Sequence, residues 1–118
     1  MDNTRYKKYY EWIINNFGHI YLSAPKYLAQ CLVVYNPEEV INLAEIYRRV
    51  AAATGESESS IPKQIQLYIK RVLNTYTVED LETLFNYHFQ SDGKSIWLKE
   101  LIPVMRRYLD SLPTDEEE

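Results

Sequence analysis

The sequence has little of what marks disulfide-rich, membrane-spanning or metal-binding proteins. Its 118 residues include one cysteine, two histidines and three glycines. A lone cysteine cannot form an internal disulfide, and the apolar pattern around Cys31 predicts a buried, inert thiol. No apolar run approaches the roughly 18 residues of a membrane span, and residues 1–12 lack the apolar core of a signal peptide. These absences predict a cytoplasmic protein that does not enter a membrane.

Excess basic charge is also missing. The formal net charge is −4, and residues 115–118 supply four of the 17 acidic side chains. The first 114 residues are therefore neutral, with 13 basic and 13 acidic side chains. A strong DNA-binding protein usually carries a basic surface, so this balance counts against DNA binding unless basic residues cluster locally. Residues 113–118 are predicted to form an acidic disordered tail.

Motifs for catalysis are absent from the sequence. His19 and His88 are far apart, and neither lies in a cluster with metal-ligand spacing. There is no glycine-rich phosphate loop and no nucleophile motif around a serine or cysteine. Acidic pairs such as Glu79-Asp80 stand where helix N-termini favour negative charge. The sequence thus predicts a protein that is not an enzyme and that uses no metal or cofactor.

Helical periodicity runs along nearly the whole chain. It predicts an all-α fold, a compact bundle of about six helices that forms a single domain over residues 1–112. The predicted first helix ends at Gly18, and the second begins at Ser23 with Pro25 in its first turn. The apolar face expected for the first helix comprises Tyr6, Tyr10, Ile13, Ile14 and Phe17.

Start signals place the remaining helices. The run Asn36-Pro37-Glu38-Glu39 predicts a third helix, since it combines an N-cap, a proline and first-turn acids. Further helices are expected over residues 59–75, from Thr77 to about Tyr87, and over residues 95–112, where Pro103 should cause a kink. A turn is expected at residues 90–93. The apolar stripe that follows this start comprises Val40, Ile41, Ala44, Tyr47, Val50 and Ala51, and it fits either one helix or two in succession.

Residues 44–75 carry the signature of a helix-turn-helix. Such a unit needs a small residue where its helices cross, a glycine in the turn and apolar anchors on the second helix. Ala51, Gly55 and Ile61 meet these needs, followed by Ile65. Helical spacing collects six residues on the buried face of the second helix, namely Ile61, Ile65, Tyr68, Ile69, Val72 and Tyr76.

The opposite face of the second helix is a candidate DNA-reading surface. Glutamine can pair with adenine, leucine can touch a thymine methyl, and lysine or arginine can reach guanine or phosphate. Two arginines on the preceding helix could contact backbone phosphates. The predicted DNA-binding residues are Arg48, Arg49, Ser60, Lys63, Gln64, Gln66, Leu67, Lys70 and Arg71. The alternative is an ordinary solvated polar face.

A family resemblance covers the same region. It rests on a gap-free pattern over residues 47–89 that includes Tyr47, Ala51, Ser59, Ile65, Ile69, Leu84, Phe85 and Tyr87. This pattern resembles the C-terminal effector domain of the sporulation master response regulator family, stage 0 sporulation protein A, and a looser similarity extends over residues 9–110. The resemblance implies a six-helix domain whose helix-turn-helix reads the major groove of double-stranded DNA.

The resemblance also implies protein partners. Members of the family activate transcription by touching the sigma subunit of RNA polymerase through the helix that follows the recognition helix. In this chain that surface would comprise Glu79, Asp80, Glu82 and Phe85. Family members dock in head-to-tail pairs, so a homodimer is a candidate assembly. Its candidate self-association surface on the last helix comprises Trp97, Leu101 and Met105.

Departures from the family concern the DNA-reading chemistry. Ser60, Lys63 and Gln66 stand where the family has arginines. Glu56 and Glu58 precede the second helix, where they would repel a phosphate. Fewer positive charges and added negative ones predict a weakened or altered reading of DNA.

Pro62 replaces a glutamate of the family and predicts that the second helix starts near Ser59, so that the proline falls in the first turn. The family's effector domain normally follows a receiver domain, so the chain is expected to be a stand-alone relative or an excised domain. Two hypotheses follow. The protein is either a helix-turn-helix DNA-binding transcriptional regulator, or an interaction module with a degenerate helix-turn-helix that binds a polymerase, sigma or regulator partner without reading DNA.

Overall fold

Six α-helices form the regular secondary structure of the part of the chain that the structure describes. This computed structural model describes residues 3–18, 23–39, 42–90 and 95–113. Over these ranges there are helices and turns but no strand, which confirms the predicted all-α fold of about six helices. The helices are α1 (Asn3–Phe17), α2 (Ala24–Val34), α3 (Leu43–Thr54), α4 (Ser60–Val72), α5 (Val78–Phe85) and α6 (Leu98–Ser111).

The first two helices have the predicted ends. α1 stops at Gly18, whose φ of 93° suits glycine and whose N–H donates to the carbonyl of Ile14 at 3.0 Å. α2 follows Ser23 and has proline in its first turn, although the Ser23 side chain makes no capping hydrogen bond. The buried line of α1 differs from the prediction, since Tyr9 is fully buried whereas Tyr6, Tyr10 and Ile14 are only half-buried.

The predicted start of a helix at Asn36 is wrong. The Asn36 side-chain oxygen accepts the N–H of Glu38 at 2.9 Å, and its backbone carbonyl accepts the N–H of Glu39 at 3.0 Å. These bonds close a turn, for which asparagine followed by proline is equally suited. Local chemistry alone therefore did not distinguish a turn from a first helical turn at this point.

α3 begins instead at Leu43, capped by Asn42. The Asn42 side-chain oxygen accepts the N–H of Glu45 at 2.9 Å. The expected stripe is only partly buried: Val50 and Ala51 face the core, but Ala44 is exposed. The predicted stripe residues 40 and 41 lie outside the described residues.

The last two helices are shorter than predicted. α5 begins with the expected capping box, in which Thr77 and Asp80 exchange hydrogen bonds of 2.9 and 3.0 Å, and it ends at Asn86 in the left-handed conformation. α6 begins at Leu98 and contains Pro103, which cannot donate to the carbonyl one turn earlier. Most of the predicted turn at residues 90–93, and the acidic tail from residue 114 onward, lie outside the described residues.

α2 lies at the centre of the bundle and packs against α1, α3, α4 and α6. Seven of its 11 residues are buried, among them Cys31. Burial raises the pKa of the Cys31 thiol to about 12, which confirms the predicted buried thiol and keeps it protonated at neutral pH. The Cα radius of gyration is 13.6 Å, close to the value of about 13 Å for a compact chain of about 100 residues.

One buried cation joins three helices. Arg106 of α6 is 5% exposed, and its Nη1 donates to the Leu32 carbonyl at 2.8 Å and to the Tyr35 carbonyl at the end of α2. Its Nε donates to the Asp110 carboxylate at 2.8 Å, which also accepts a hydrogen bond from the Tyr9 hydroxyl of α1. Arg106 therefore supplies donors to carbonyls that the end of α2 leaves without helical partners.

Candidate nucleic-acid interface

The connection between α3 and α4 depends on Gly55. Its φ of 79° is left-handed, and its N–H donates to the Ala51 carbonyl at 2.8 Å. A left-handed residue at this position lets the chain leave α3 while an end carbonyl stays hydrogen-bonded, and glycine adopts it without a steric penalty. The sequence prediction of a positive-φ glycine in this turn is confirmed.

α4 starts where Pro62 requires it. Ser59 precedes the first helical residue, so the proline is the third residue of α4, in the turn whose N–H groups have no helical acceptor. The Ser60 N–H is satisfied by Ser57, whose carbonyl accepts it at 3.1 Å and whose hydroxyl oxygen lies at 3.3 Å. The predicted helix start near Ser59 is confirmed.

The inner face of α4 is the one the periodicity predicted. Five of its six predicted residues are at most 3% exposed: Ile61, Ile65, Tyr68, Ile69 and Val72. Two tyrosine hydroxyls connect this face to the end of α1 through hydrogen bonds. Tyr68 donates to the Gly18 carbonyl at 2.6 Å, and the half-buried Tyr76 donates to the Asn16 carbonyl at 2.9 Å. These contacts set which side of α4 faces solvent.

The outer face of α4 is exposed to solvent. It comprises the exposed residues Lys63, Gln66, Leu67, Lys70 and Arg71. Leu67 is 50% exposed, which is unusual for its size in this fold. Ser60 and Gln64 were also predicted to face DNA, but they are half-buried and less exposed than the others. The Gln64 amide donates a hydrogen bond to the Ser60 hydroxyl at 2.8 Å.

The charge of α4 has one sign. Its 13 residues include two lysines and one arginine but no aspartate or glutamate. The two basic residues of its last turn, Lys70 and Arg71, also lie where the helix dipole favours positive charge. The outer face of α4 is thus a local basic and polar strip on a chain body that is neutral as a whole.

Arg48 and Arg49 of α3 are exposed and share one neighbouring carboxylate, which offsets only part of their positive charge. Both donate to the carboxylate of Glu45, Arg48 through Nη2 and Arg49 through Nε at 3.0 Å. These hydrogen bonds lower the pKa of the Glu45 carboxyl. Sequence reasoning missed Glu45, although its spacing of three and four residues from the two arginines favours such pairs on a helix.

The two glutamates before α4 have separate surroundings. Glu58 lies close enough to Arg48 to add to the effect of Glu45 in raising the pKa of that guanidinium. Glu56 lies close enough to the Tyr27 hydroxyl to affect its pKa, which is raised chiefly by burial and further by this carboxylate. The Ser60 hydroxyl also lies 3.5 Å from Glu56. Negative charge therefore surrounds the first turn of α4.

The predicted partner surface on α5 is only partly available. Phe85 is 5% exposed and packs edge-on against Tyr108 with ring centroids 5.2 Å apart, so its inclusion on a surface was wrong. Glu82 accepts the N–H of Phe89 at 2.8 Å and lies 3.0 Å from His88. Asp80 belongs to the capping box. Glu79 is exposed, and it takes part neither in the capping box nor in the contacts that Glu82 makes with the chain beyond α5. Among the four predicted residues it is therefore the one that stays available on the surface.

The candidate self-association surface on α6 is also corrected. Leu101 and Met105 are fully buried, because they face the core, and only Trp97 is exposed, at 46%. The Lys99 ammonium lies 4.9 Å from the Trp97 ring centre. One exposed indole at the N-cap of α6 does not form the three-residue self-association surface that was predicted.

Comparisons of the chain with protein-family models, curated proteins and solved structures give no match. The resemblance to the sporulation effector domain therefore stays a prediction. Among the described residues no group of three or more histidine, cysteine, aspartate or glutamate side chains could hold a metal ion. None of the described helices is long and apolar enough to cross a membrane.

Proposed function

We propose that the protein is a helix-turn-helix DNA-binding transcriptional regulator that acts in the cytoplasm and places α4 in the major groove. The exposed outer face of α4, with Lys63 and Lys70 and no acidic residue, is the observation that carries this proposal. A helix presented in this way meets the two demands of groove reading, since it combines polar side chains for base edges with positive charge for phosphates.

The exposed residues divide into two roles under this proposal. Gln66 and Leu67 reach base edges, the amide toward adenine and the leucine toward a thymine methyl. Lys63 and Lys70 contribute positive charge one turn to either side. The half-buried Gln64 and Ser60 already bond to each other, so they serve to shape the first turn of α4 more than to read bases.

Phosphate binding is expected to be weak at physiological salt. Glu45 offsets part of the positive charge of the two arginines of α3, and Glu56 and Glu58 place negative charge before α4. Each phosphate that a basic side chain neutralises makes the affinity for DNA more dependent on salt. Because few basic side chains are left to contact phosphate, the slope of log affinity against log salt concentration should be shallow. Specific sequence reading would then supply much of the affinity.

A duplex titration tests the proposal. A pool of random duplex DNA is titrated into the wild type and into a Lys63→Ala, Lys70→Ala variant at low and moderate salt, with fluorescence anisotropy as the readout. The wild type should bind with an affinity that falls as salt rises. The variant should bind roughly tenfold or more weakly at low salt and with a salt slope smaller by about 1 to 2, as expected for two lost phosphate contacts.

The matched control is a Lys7→Ala, Lys99→Ala variant, which makes the same change in net charge with exposed lysines on α1 and α6. It should bind like the wild type. If the two variants lost equal affinity, binding would depend on net charge alone and not on the outer face of α4. If the wild type failed to bind duplex DNA at low salt, the proposal of DNA reading would be refuted.

Glu45 provides a second prediction. Glu45→Gln releases both arginines of α3, so DNA affinity at low salt should rise by roughly threefold or more and the salt slope should steepen. The same anisotropy titration measures both quantities. Glu11→Gln, which removes an exposed acid from α1, should change neither. If the two variants behave alike, Arg48 and Arg49 do not contact phosphate.

The second candidate function is an interaction module that binds a polymerase, sigma or regulator partner without reading DNA. It is favoured by the Glu45 pairing and by the exposed Leu67, because a surface with reduced positive charge and a protruding apolar side chain also suits a protein partner. The titrations separate the two functions. The interaction module predicts no duplex binding by the wild type or by Glu45→Gln at low salt.

A further inference from the structure

A cleft of about 510 Å³ lies between the turn after α2, the segment after α5 and α6. Much of its wall is apolar or aromatic and is formed by Tyr35, Pro37, Tyr87, Pro103 and Val104. Clefts of this size with apolar walls and a few polar groups are the usual form of small-molecule sites. None of these residues belongs to α3 or α4, so the cleft is separate from the candidate DNA-reading face.

Hydrogen bonds hold two walls of the cleft against α6. The carbonyl of Tyr35, the residue after α2, accepts a hydrogen bond from the buried Arg106. In the segment after α5, the Tyr87 hydroxyl and the Gln90 N–H both donate to the Glu100 carboxylate at 3.0 Å. Because these bonds tie both segments to the same helix, the cleft is formed before any ligand arrives.

The two acids of the cleft already have donors from the protein. Glu100 accepts the two hydrogen bonds just described. Asp110 accepts one from the Arg106 Nε at 2.8 Å and one from the Tyr9 hydroxyl. Asp110 is thus paired with a buried cation, and both carboxylates serve to build the walls of the cleft.

Two exposed cations that line the cleft, Lys99 and Arg107, have no such partner. Among the described residues, neither has an acid within ion-pair distance. The Lys99 ammonium lies 4.9 Å from the centre of the Trp97 ring, a contact that adds no negative charge. The hydrogen bond to Glu100 raises the pKa of the Tyr87 hydroxyl, and the positive charge of Arg107 opposes that shift, which places the guanidinium near this wall.

The spacing of the two cations sets the length of a molecule that reaches both. Lys99, Pro103 and Arg107 follow one another at intervals of four residues, so they lie along one ridge of α6. At a rise of about 1.5 Å per residue, the two cations are about 12 Å apart along the helix axis. The apolar ring of Pro103 lies between them. The cleft therefore has positive charge toward two ends and an apolar stretch in the middle.

We propose that this cleft binds an elongated dicarboxylate with an apolar middle. Its two carboxylates bind Lys99 and Arg107, and its methylene groups lie over Pro103 against the rings of Tyr35 and Tyr87. The proposal does not depend on DNA reading, because it uses no residue of α3 or α4. Failure of one proposal therefore leaves the other standing.

Decanedioate is a suitable probe, since its chain separates two carboxylates by a length comparable to the spacing of the cations. It is titrated at low salt into the isotope-labelled protein and followed by NMR. The reporters are the methyl groups of Val104, which line the cleft, and the indole N–H of Trp97 beside Lys99. Both should shift saturably, and the affinity should fall as salt rises.

Two related acids test the need for paired and separated charges. Decanoate keeps the chain but has one carboxylate, and butanedioate keeps both carboxylates but is too short to reach both cations. Each should bind roughly threefold or more weakly than decanedioate, as expected when one exposed ion pair is lost. Decanoate is the more apolar of the two long acids, so its weaker binding would separate charge pairing from non-specific hydrophobic association.

A Lys99→Gln, Arg107→Gln variant tests the two cations. It should bind decanedioate roughly fivefold or more weakly than the wild type and should no longer prefer it to decanoate. The matched control is Lys7→Gln, Lys26→Gln, which makes the same change in net charge with exposed lysines on α1 and α2. The control should bind like the wild type, and circular dichroism verifies that both variants are folded.

Three results would overturn the proposal. The first is the absence of saturable shifts at Val104 with millimolar decanedioate. The second is binding of decanoate as tight as that of decanedioate, which would leave the second carboxylate without a role. The third is equal weakening by the two double variants, because binding would then depend on net charge and not on Lys99 and Arg107.

Discussion

Replacing Arg106 with methionine is expected to lower the free energy of unfolding by about 3 kcal/mol, because buried polar groups lose their partner. The Leu32 and Tyr35 carbonyls would lose their donors at the end of α2, and Asp110 would lose its cation. Methionine keeps an apolar chain of similar length, so the loss reflects hydrogen bonds and charge more than a cavity. Urea unfolding followed by circular dichroism measures the change.

The neighbouring Arg107→Met is the matched control. Arg107 lies on the same helix but is exposed, so its replacement should change the free energy of unfolding by about 0.5 kcal/mol or less. Similar losses in the two variants would show that the bonds of Arg106 to α2 contribute little to stability.

The same cluster predicts a pH dependence. Burial opposes ionisation of the Asp110 carboxyl, but hydrogen bonds from Tyr9 and Arg106 outweigh burial and lower its pKa. A carboxyl with a lowered pKa in the folded state contributes stability above its unfolded-state pKa, and this contribution is lost as pH falls through the folded-state pKa. Between about pH 4 and pH 2, the wild type should therefore lose more stability than Arg106→Met does.

Replacing Tyr68 with alanine is expected to cost about 4 kcal/mol, because Tyr68 is fully buried and a large cavity would remain beside α1. Tyr68→Phe keeps the ring and removes only the hydroxyl that donates to the Gly18 carbonyl at 2.6 Å. That variant should lose about 1 kcal/mol, which is typical of one hydrogen bond. The difference between the two variants separates packing from hydrogen bonding, with urea midpoints as the readout.

Tyr76→Phe serves as the control for the hydroxyl. Tyr76 makes the corresponding bond to the Asn16 carbonyl at 2.9 Å, but in an exposed setting where water can replace it. Its loss should therefore be smaller than that of Tyr68→Phe. If Tyr68→Ala costs no more than Tyr68→Phe, the ring of Tyr68 is not a packing element between α4 and α1.

Much of the local structure could be predicted from the sequence. The glycine ends of α1 and α3, the capping box of α5 and the start of α4 around Pro62 all depend on a few consecutive residues. The buried face of α4 was also predictable, since its five isoleucine, tyrosine and valine positions repeat at helical spacing. The helix start predicted at Asn36 was wrong because it also rested on a few consecutive residues, and asparagine followed by proline suits a turn as well as a helix start.

The candidate sites depended more on distant contacts. The lysines and the exposed leucine of α4 were predicted as its outer face, whereas the pairing of Arg48 and Arg49 with Glu45 was not considered. Phe85, Leu101 and Met105 were assigned to surfaces but are buried, because each belongs to an apolar stripe whose partner helix cannot be read from its own segment.

Only the tertiary structure decided which helix each face meets. The sequence by itself determined the helical elements, most of their ends and the inner side of α4, since helical spacing and capping act over a few residues. Tertiary packing brought Arg106 to the Leu32 carbonyl, 74 residues away in the chain, and left one buried acceptor of Gln30 without a partner among the described residues. Such contacts depend on how the helices pack together, and no local pattern specifies them.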